Sequence, residues 1–276
     1  MPAPQSHPTV GVVIRFKNSA ATLPAMLAAL RRQTVQPGLM LGVNNGSTDG
    51  SVALMQAAGA KIVDWTEPYS HPRVLNFAVR HCPTDLVLVL SSHTVLNAPD
   101  ALEQFLAAMS DPQTACVSAR WDGDPFYSDA ITWAELQAKG LKFGSIYSNS
   151  MGMFRRSLWE QAPFDEAMPT MEDNGWALEQ IKRGYGCRRV RMDFSYNRGG
   201  ADRSFVFAVV TFQLAARHGL FVTWLGPVGA LKHWLRGGGG TEQSASAAEA
   251  ARLDARQNAN RLRAWLTWRW QRKVTE

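Results

Sequence analysis

Cysteine is scarce in this chain, and its three residues, Cys82, Cys116 and Cys187, are far apart and form no Cys-x-x-Cys pair. This spacing argues against a disulfide framework and a cysteine metal site, and it fits a reducing cytoplasm. No segment approaches the roughly 18 consecutive apolar residues of a membrane-spanning helix. The opening residues, MPAPQSHP, lack the basic and apolar regions of a secretory signal. We therefore expect a cytoplasmic protein, with the inner face of the membrane as the alternative location.

Several catalytic signatures are also missing. The chain has no Gly-x-Ser-x-Gly, no His-Glu-x-x-His and no P-loop, which argues against an α/β-hydrolase, a zincin and a Walker nucleotide site. Its first apolar strand is not followed by Gly-x-Gly-x-x-Gly, which argues against a dinucleotide-binding unit. The chemistry must therefore be sought in less standard combinations of residues.

The composition is that of a globular protein with a basic surface. Apolar residues make up 46% and charged residues 19%, so the chain can bury a core. The formal charge of +6 points either to an anionic partner or to a solvated basic surface with no specific partner. Nucleotide phosphate and anionic lipid both fit. A nucleic-acid partner is not expected, because no recognisable module or aromatic-rich basic stripe is present.

One apolar segment organises the first half of the chain. Residues Leu86–Leu90 form an unbroken apolar run, typical of a strand buried on both faces, and Ser91, Ser92, His93 and Thr94 follow it directly. Open parallel α/β sheets bind their ligands at the carboxyl ends of such strands. The polar residues after Leu90 are therefore candidates for ligand binding.

The segments around this strand alternate between strand and helix patterns. Further strands are predicted at Val10–Ile14, Leu39–Val43, Lys61–Trp65 and Ala115–Ala119. Helices are predicted at Leu23–Arg32, Val52–Ala58, Arg73–Arg80, Pro99–Met109 and Ile131–Ala138. This order predicts right-handed βαβ units and a mainly parallel sheet. Polar clusters at 15–18, 44–49 and 91–94 then share one sheet edge, which indicates a site.

The second half adds an acidic pair. Glu172 and Asp173 lie near the start of a predicted helix that ends at Gly184, where the helix dipole favours ionised carboxylates. They serve either as dipole caps or as catalytic groups. A basic sheet edge and a separate acidic pair suit group transfer from an anionic donor, in which one half holds the leaving phosphate and the other supplies a base.

Beyond Met192 the pattern changes to a helical extension. Residues 205–235 predict two apolar helices, 237–240 a four-glycine linker, and Ala250–Lys273 a long helix. The segment Arg261–Lys273 combines tryptophan with arginine and lysine. That helix either packs on the domain or docks on anionic lipid. The apolar 205–235 segment contributes to the same surface or to a homodimer contact.

Four motifs in order resemble family 2 glycosyltransferases of the GT-A fold. They are VGVVIRFKNS from Val10, GVNNGSTDGS from Gly42, SNSMGMFRRSLWEQAPFDE from Ser148, and MEDNGWA from Met171. The resemblance covers roughly residues 9–192, and the Ser-x-His strand end is similar to a subgroup linked to surface polysaccharide synthesis. It implies a Rossmann-like, three-layer α/β fold with a mixed, mainly parallel sheet. The implied domain spans 1–200, with a donor half at 9–110 and an acceptor half at 111–200, and 201–276 forms the C-terminal extension.

The resemblance also implies a role for each matching residue. Asp173 is the implied general base and Glu172 a positioning carboxylate, while Trp176 is an acceptor-stacking platform. The implied donor-binding residues are Arg15, Phe16, Asn18, Asn45, Arg73, Asn76, Ser92 and His93. The implied reaction is inverting transfer of a hexose or deoxyhexose from a nucleotide-diphosphate sugar to a hydroxyl of a glycan or lipid-linked acceptor.

Two departures from the family pattern affect these roles. Asn45 replaces an acidic residue that binds the base, and Ser91-Ser92-His93 replaces the Asp-x-Asp that holds Mg²⁺ or Mn²⁺ on the diphosphate. Hard cations prefer oxygen ligands. His93 then acts either as a metal ligand or as a direct partner of the diphosphate, and metal use stays open at this point. The alternative function is a non-catalytic nucleotide-sugar or glycan-binding relative.

Overall fold

The computed structural model describes residues 8–120, 126–143, 146–196, 204–223, 256–257 and 259–268. An eight-stranded sheet forms its centre, in the order β3-β2-β1-β4-β9-β6-β10-β7. The eight strands are β1 Val10–Phe16, β2 Leu39–Asn44, β3 Lys61–Asp64, β4 Leu86–Ser91, β6 Thr114–Ala119, β7 Ala130–Ile131, β9 Met151–Arg155 and β10 Gly186–Val190. Short strands β5 Thr94–Leu96 and β11 Phe194–Tyr196 pair antiparallel in a separate ribbon.

Helices follow most of the strands. In chain order they are α1 Leu23–Arg31, α2 Ser51–Ala57, α3 His71–Arg80, α4 Ala101–Ala108, α5 Trp133–Lys139, α6 Arg156–Gln161, α7 Glu172–Lys182 and α8 Ser204–His218. Strands β1, β2, β3 and β4 are parallel neighbours, whereas β9 runs antiparallel between β4 and β6. The sheet is therefore mixed and mainly parallel, as the sequence predicted.

The alternation of side chains along the strands gives the sheet two covered faces. Leu86, Leu88 and Leu90 of β4 pack with α1 and α4 in one apolar cluster. On β9, Met151 and Met153 join that cluster, while Phe154 points to the other face and contacts Trp176 of α7. Since successive side chains of a strand point to opposite faces, helix layers cover both sides of the sheet. This is the predicted three-layer arrangement.

The strands predicted in the first half and the strand near Ala115 are confirmed, with ends that shift by one or two residues. Three strands of this sheet were missed, the two-residue β7 and the longer β9 and β10. Met151–Arg155 contains a glycine and no β-branched residue, and Gly186–Val190 carries two arginines, so neither has a strand-like pattern. The helix predicted to start at Ile131 begins at Trp133, because Ile131 pairs with Cys187 in the sheet.

The chain divides into two compact units. Among the described residues, the first holds 8–120, 128–132 and 146–196, and the second holds 126–127, 133–143, 204–223 and 256–268 except 258. The predicted acceptor half therefore gives segments around α5 to the second unit. In that unit, strands β8 Leu141–Lys142 and β12 Val222–Thr223 pair in parallel. Ala208 and Phe212 of α8 form a small cluster with Ala264.

Only part of the predicted C-terminal extension lies among the described residues. The first of the two apolar helices is confirmed as α8, and residues 259–268 of the predicted final helix are helical. The second apolar helix, beyond Thr223, and the glycine linker lie outside the described residues. Among the helices that are described, none has both the length and the hydropathy to cross a bilayer.

Candidate active site

The polar residues that follow β1, β2 and β4 meet at one edge of the first unit's sheet. Arg15 is in register with Ser91 on one side and with Val43 on the other. The loops beyond these strands are joined by hydrogen bonds, since the side-chain Oδ1 of Asn18 accepts from the Thr48 N–H at 2.8 Å. The Ser19 N–H donates to Ser51 Oγ at 2.7 Å. The predicted clustering at one edge is therefore confirmed.

Ser92 and His93 lie in the turn between β4 and β5. Ser92 is buried, and its Oγ lies 2.9 Å from Ser19 Oγ, so the turn is fastened to the loop after β1. The His93 ring is half-buried, 4.8 Å from the Tyr196 ring. Burial lowers the pKa of His93, and the positive charge of Arg15 lowers it further. His93 is therefore a neutral imidazole near pH 7, able to donate one hydrogen bond.

A loop that the sequence reasoning did not assign connects this turn to the acidic pair. The Ser150 carbonyl accepts hydrogen bonds from the Ser91 N–H at 3.0 Å and from Thr94 Oγ1 at 3.1 Å. The preceding residue, Asn149, donates its N–H to Asp173 Oδ2 at 2.9 Å. Two adjacent residues thus hold the strand-end turn and the acidic pair. In the sequence they were marked only by belonging to the motif that begins at Ser148.

The acidic pair occupies the first turn of α7, with Met171 at its N-cap in a left-handed conformation, φ 60°. Glu172 is only 5% exposed, and burial, followed by the charge of Asp173, raises its pKa to about 7. Burial likewise raises the pKa of Asp173, against the opposing effect of its hydrogen bonds from Asn149 and Asn174. The two carboxyls therefore bind protons at a higher pH than ordinary carboxylates, as a general base acting near neutral pH requires.

A low-dielectric wall behind the pair accounts for this effect. Tyr147 is fully buried, and the Asp173 and Glu172 charges are among the causes that raise the pKa of its hydroxyl, after burial itself. Cys116 and Cys187 face each other on β6 and β10, and both are buried thiols. Uncharged groups on this side cannot solvate a carboxylate as water does, so the neutral form is favoured.

Arg15 is the cation that faces the pair. Its positive charge lowers the pKa values of both Glu172 and Asp173, opposing the effect of burial. The same positive charge lowers the pKa of His93, so Arg15 is close to both the strand-end turn and the acidic pair. Its Nε is buried and has no hydrogen-bond partner. The protein therefore leaves at least one N–H of this arginine without an acceptor.

The structure corrects the role predicted for Asn76. Its side chain is buried and donates to the Phe164 carbonyl and to Glu166 Oε1, each at 2.9 Å. Its Oδ1 accepts from Trp159 Nε1 at 2.9 Å and from the Phe164 N–H at 3.1 Å. These four bonds use both amide protons and both lone pairs. Asn76 is a structural residue that fastens α3 to the segment after α6.

Three further predicted positions also differ. The Arg73 guanidinium forms ion pairs with Glu67 and Glu166, so its charge is already balanced by carboxylates. The Trp176 ring is 4% exposed, donates from Nε1 to the Ala162 carbonyl and packs against Phe154, and therefore offers no stacking surface. Phe16 is 3% exposed and packs in the main core, so its side chain supports the sheet instead of lining the open edge.

Asn45 keeps a position at the open edge. Its N–H donates to the Phe16 carbonyl at 3.0 Å, and its side chain is partly exposed. The adjacent Asn44 is buried and donates from Nδ2 to Asp64 Oδ1 at 2.8 Å. Asp64, at the end of β3, is thus an acidic group beside Asn45. The sequence did not indicate it, because only the pairing of β2 with β3 brings Asp64 to this place.

The site has few ligands for a divalent cation. Among the described residues, no group of three or more His, Cys, Asp and Glu side chains is placed to hold a metal ion. Ser92 bonds to Ser19, and His93 faces the positive charge of Arg15. This donor set does not fit a carboxylate-held Mg²⁺ or Mn²⁺. It fits direct contact between cationic or N–H groups and phosphate oxygens.

Comparison with known proteins agrees with this architecture. The family model described as Glycosyl transferase family 2 matches residues 11–167, more than half of the chain. The chain belongs to this glycosyltransferase family. The matched range includes Arg15, the Ser-Ser-His turn and the Asn149 loop, and ends just before the acidic pair.

Two curated relatives are similar over about three fifths of this chain. The chain is 26% identical over 196 residues to the O-antigen chain rhamnosyltransferase RfbN of Salmonella typhimurium, covering 64% of this chain and 62% of RfbN. It is 24% identical over 190 residues to the O-antigen chain rhamnosyltransferase WbaN of Salmonella anatum, covering 61% and 60%. The match thus spans about three fifths of the relatives' length.

Solved structures share the fold at low sequence identity. A mannosyltransferase from Pyrobaculum calidifontis, in complex with GDP-Man and Mn2+, has a TM-score of 0.67 and 18% identity over 98% of this chain and 90% of its own. Glucosyl-3-phosphoglycerate synthase from Mycobacterium tuberculosis, in complex with Mn2+ and UDP-glucose, has a TM-score of 0.60 and 17% identity over 79% and 81%. These likenesses show the GT-A type of fold.

Proposed function

We propose that this glycosyltransferase moves a sugar from a nucleotide-diphosphate donor to an acceptor hydroxyl with inversion at the anomeric carbon, and that Asp173 is the general base. The observation that carries the proposal is the proximity of Arg15, in register with Ser91 at the strand end, to two kinds of group. Its guanidinium acts on the carboxyls of Glu172 and Asp173 and also on His93 at the strand end. A cation for the leaving phosphate and a base for the acceptor are thereby neighbours.

The proposed step is an in-line displacement. The acceptor oxygen forms a bond to the anomeric carbon while the bond from that carbon to the phosphate oxygen breaks, and Asp173 takes the hydroxyl proton. The nucleoside diphosphate leaves with the electron pair of the broken bond. Arg15 neutralises the charge that develops on it, and His93 donates a hydrogen bond. Glu172, with a pKa of about 7, is protonated at lower pH, and it then adds no negative charge beside Asp173.

We assign Asp173 rather than Glu172 as the base because of exposure and hydrogen bonding. The Glu172 side chain is buried, whereas Asp173 retains partial exposure. Asp173 accepts three hydrogen bonds, from the Asn149 N–H and from the Asn174 N–H and side chain. A carboxylate has about four lone-pair sites, so one remains for the acceptor hydroxyl.

The donor site uses the residues that the structure leaves at the open edge. We propose that donor binding involves Arg15, Asn18, Asn45, Ser92 and His93. Asp64 is an additional acidic group near the place proposed for the nucleotide base. The similar solved structures were obtained with GDP-Man and UDP-Glc and with Mn2+. In this chain the side chains at the site favour a leaving group whose charge is neutralised by Arg15, and no proposed step runs through a metal.

The acceptor is proposed to be a growing surface glycan or its lipid-linked precursor. This rests on the curated relatives, which are O-antigen chain rhamnosyltransferases. Rhamnose, a deoxyhexose, is therefore the first donor sugar to test. A thermal-shift screen with UDP-, GDP- and dTDP-sugars, dTDP-rhamnose included, and with Mn²⁺ or EDTA addresses donor and metal together. Equal stabilisation by one donor in EDTA supports metal-free binding, and a shift that requires Mn²⁺ contradicts it.

We further propose that the second unit docks on anionic membrane. Phe221 and Leu266 are each 54% exposed, and Arg263 stacks over the Phe205 ring. Exposed apolar groups and basic side chains within one unit are the composition that interfacial binding uses. The test is liposome flotation of the full chain with Phe221→Glu and Leu266→Glu. A charge-matched control carries Ala53→Glu and Gln56→Glu on the exposed face of α2. Equal flotation of both variants contradicts docking by this surface.

A further inference from the structure

Tyr69 and His71 form a small polar triangle with Arg15. Arg15 Nη1 lies 3.0 Å from His71 Nδ1 and 3.3 Å from the Tyr69 hydroxyl. The Tyr69 hydroxyl lies 3.1 Å from the same Nδ1, and the two rings meet edge to face at 5.0 Å. His71 is the first residue of α3, so a helix end anchors the triangle.

The chemistry of this contact fixes the state of the histidine. A guanidinium nitrogen only donates hydrogen bonds, so His71 Nδ1 must present a lone pair to Arg15. The imidazole is then neutral and carries its proton on Nε2. His71 therefore acts toward Arg15 as an acceptor, like a carboxylate but without a negative charge that would cancel the charge of Arg15.

The orientation of Arg15 depends on few other groups. Its Nε has no partner, while Nη1 is held by Tyr69 and His71. From there its charge reaches Glu172, Asp173 and His93. We propose that His71, supported by Tyr69, is a positioning residue that orients the Arg15 guanidinium between the acidic pair and the leaving phosphate. This inference rests on the proposed function, in which Arg15 acts on the leaving group and Asp173 is the base.

A neutral acceptor suits this task better than a carboxylate does. Arg73, which lies on the same helix, pairs with Glu67 and Glu166 and has its charge balanced. Arg15 held by a neutral imidazole keeps its full charge for the diphosphate. The two arginines thus differ in the chemistry of their hydrogen-bonded partners, which are carboxylates for Arg73 and neutral groups for Arg15.

The kinetic test compares His71→Ala with His71→Asn, because asparagine can place an acceptor oxygen near the position of Nδ1. A misplacement of about 1 Å at a reacting centre can cost about 100-fold in rate. We expect His71→Ala to lower kcat about 10–100-fold with a smaller change in donor KM, and His71→Asn to restore most of it. His81→Asn, at the other end of α3, is the matched control and is expected to retain activity.

The pH profile distinguishes positioning from a merely structural role. The ionisable groups that face Arg15 are Tyr69, His71, His93, Glu172 and Asp173. If Arg15 drifts from the carboxylates, they lose a neighbouring cation, and the acidic limb of the kcat profile moves to higher pH. We expect this shift in His71→Ala and its reversal in His71→Asn. Tyr69→Phe, at an exposed side chain, should give a smaller shift without loss of folding.

A spectroscopic readout separates this inference from the proposed function. In protein labelled with ¹⁵N-histidine, the His71 Nδ1 resonance should have the chemical shift of an unprotonated nitrogen, and it should move in Arg15→Lys. An Nδ1-protonated His71 overturns the inference whatever the activity. So does a His71→Ala enzyme with unchanged kcat, or one with a raised donor KM and an unchanged pH profile. A wild-type protein that neither binds nor transfers any sugar nucleotide contradicts the proposed function, and the ¹⁵N resonance still decides the Arg15–His71 contact.

Discussion

The N–H of Asn149 donates a hydrogen bond of 2.9 Å to Asp173 Oδ2. Through the next residue, Ser150, the same loop holds the turn that carries Ser92 and His93. A displacement of this loop therefore changes both the acidic pair and the strand-end turn. The acidic pair and the strand-end turn are thus linked through two adjacent residues, so substitutions here should affect both the proposed donor binding and turnover.

Replacing Asp173 by asparagine should abolish most transfer while donor binding persists. An amide cannot accept the acceptor's proton, and loss of a general base costs roughly 10²–10⁴-fold in rate. The measurement is kcat together with donor affinity from the thermal shift. Asp165→Asn, an exposed aspartate before α7, serves as the matched control and should keep full activity. Retained turnover in Asp173→Asn would show that another group is the base, and donor binding without transfer in the wild type would favour the non-catalytic alternative.

The raised pKa of Glu172 predicts a pH-dependent stability. Its pKa changes from 4.5 in the unfolded chain to about 7 when folded. The contribution of Glu172 to the free energy of unfolding is therefore fully present below pH 4.5. It is lost as the pH rises through about 7, since the buried group resists ionisation. The loss is roughly 3 kcal/mol, from about 1.4 kcal/mol per pKa unit.

Glutamine at position 172 tests this prediction because it is neutral at every pH. Urea unfolding at pH 5 and pH 8 should show a smaller decrease in the free energy of unfolding for Glu172→Gln than for the wild type. Burial raises the pKa of Asp173, so the acidic limb of the wild-type kcat profile should lie at higher pH than that of an ordinary aspartate, and Glu172→Gln should move it to lower pH. An unchanged pH dependence of stability would mean that Glu172 ionises normally in the folded protein.

Asn76→Ala should be strongly destabilising. It removes four hydrogen bonds and leaves the Trp159 Nε1 and the Phe164 peptide group buried without their partner. We expect a loss of roughly 2–5 kcal/mol in the free energy of unfolding. Asn97→Ala, which removes two exposed hydrogen bonds to Asp193 and Ser195, is the control and should cost about 1 kcal/mol or less. Equal losses in both would contradict the structural role.

Gly152 should not tolerate a side chain. A Cβ at this position of β9 would lie 2.5 Å from the Ser148 carbonyl oxygen and 2.7 Å from the Tyr147 ring. Because the obstructing atom is backbone, Gly152→Ala should displace the Asn149 loop, lower kcat and cost roughly 1–3 kcal/mol of stability. Gly186→Ala on β10 is the control, since the nearest atom is 3.8 Å away. A Gly152→Ala protein with wild-type kcat would show that the loop position is not critical.

Much of the fold follows from local pattern. The apolar runs at Val10, Leu39 and Leu86 predicted the parallel half of the sheet, because a strand buried on both faces requires continuous apolar side chains. Strand β9 escaped prediction, since it enters as an antiparallel strand between β4 and β6 and its burial comes entirely from those neighbours. Strand β10 was missed for a similar reason: Arg189 is buried there, where its Nε donates to the Ser128 carbonyl and its backbone N–H to the Asp129 carbonyl.

The sequence by itself determined the family, the sheet edge that carries the polar residues, and the residue types available there, including Arg15, His93 and Asp173. Tertiary structure alone decided which polar and aromatic side chains remain free for chemistry. The resemblance assigned site roles to Asn76 and Trp176, but distant partners bind the amide of one and bury the ring of the other. His71 carried no motif, and it became a candidate because folding brings it 3.0 Å from Arg15 across 56 residues of sequence. Hydrogen-bond saturation and burial depend on partners far along the chain, and no local pattern encodes them.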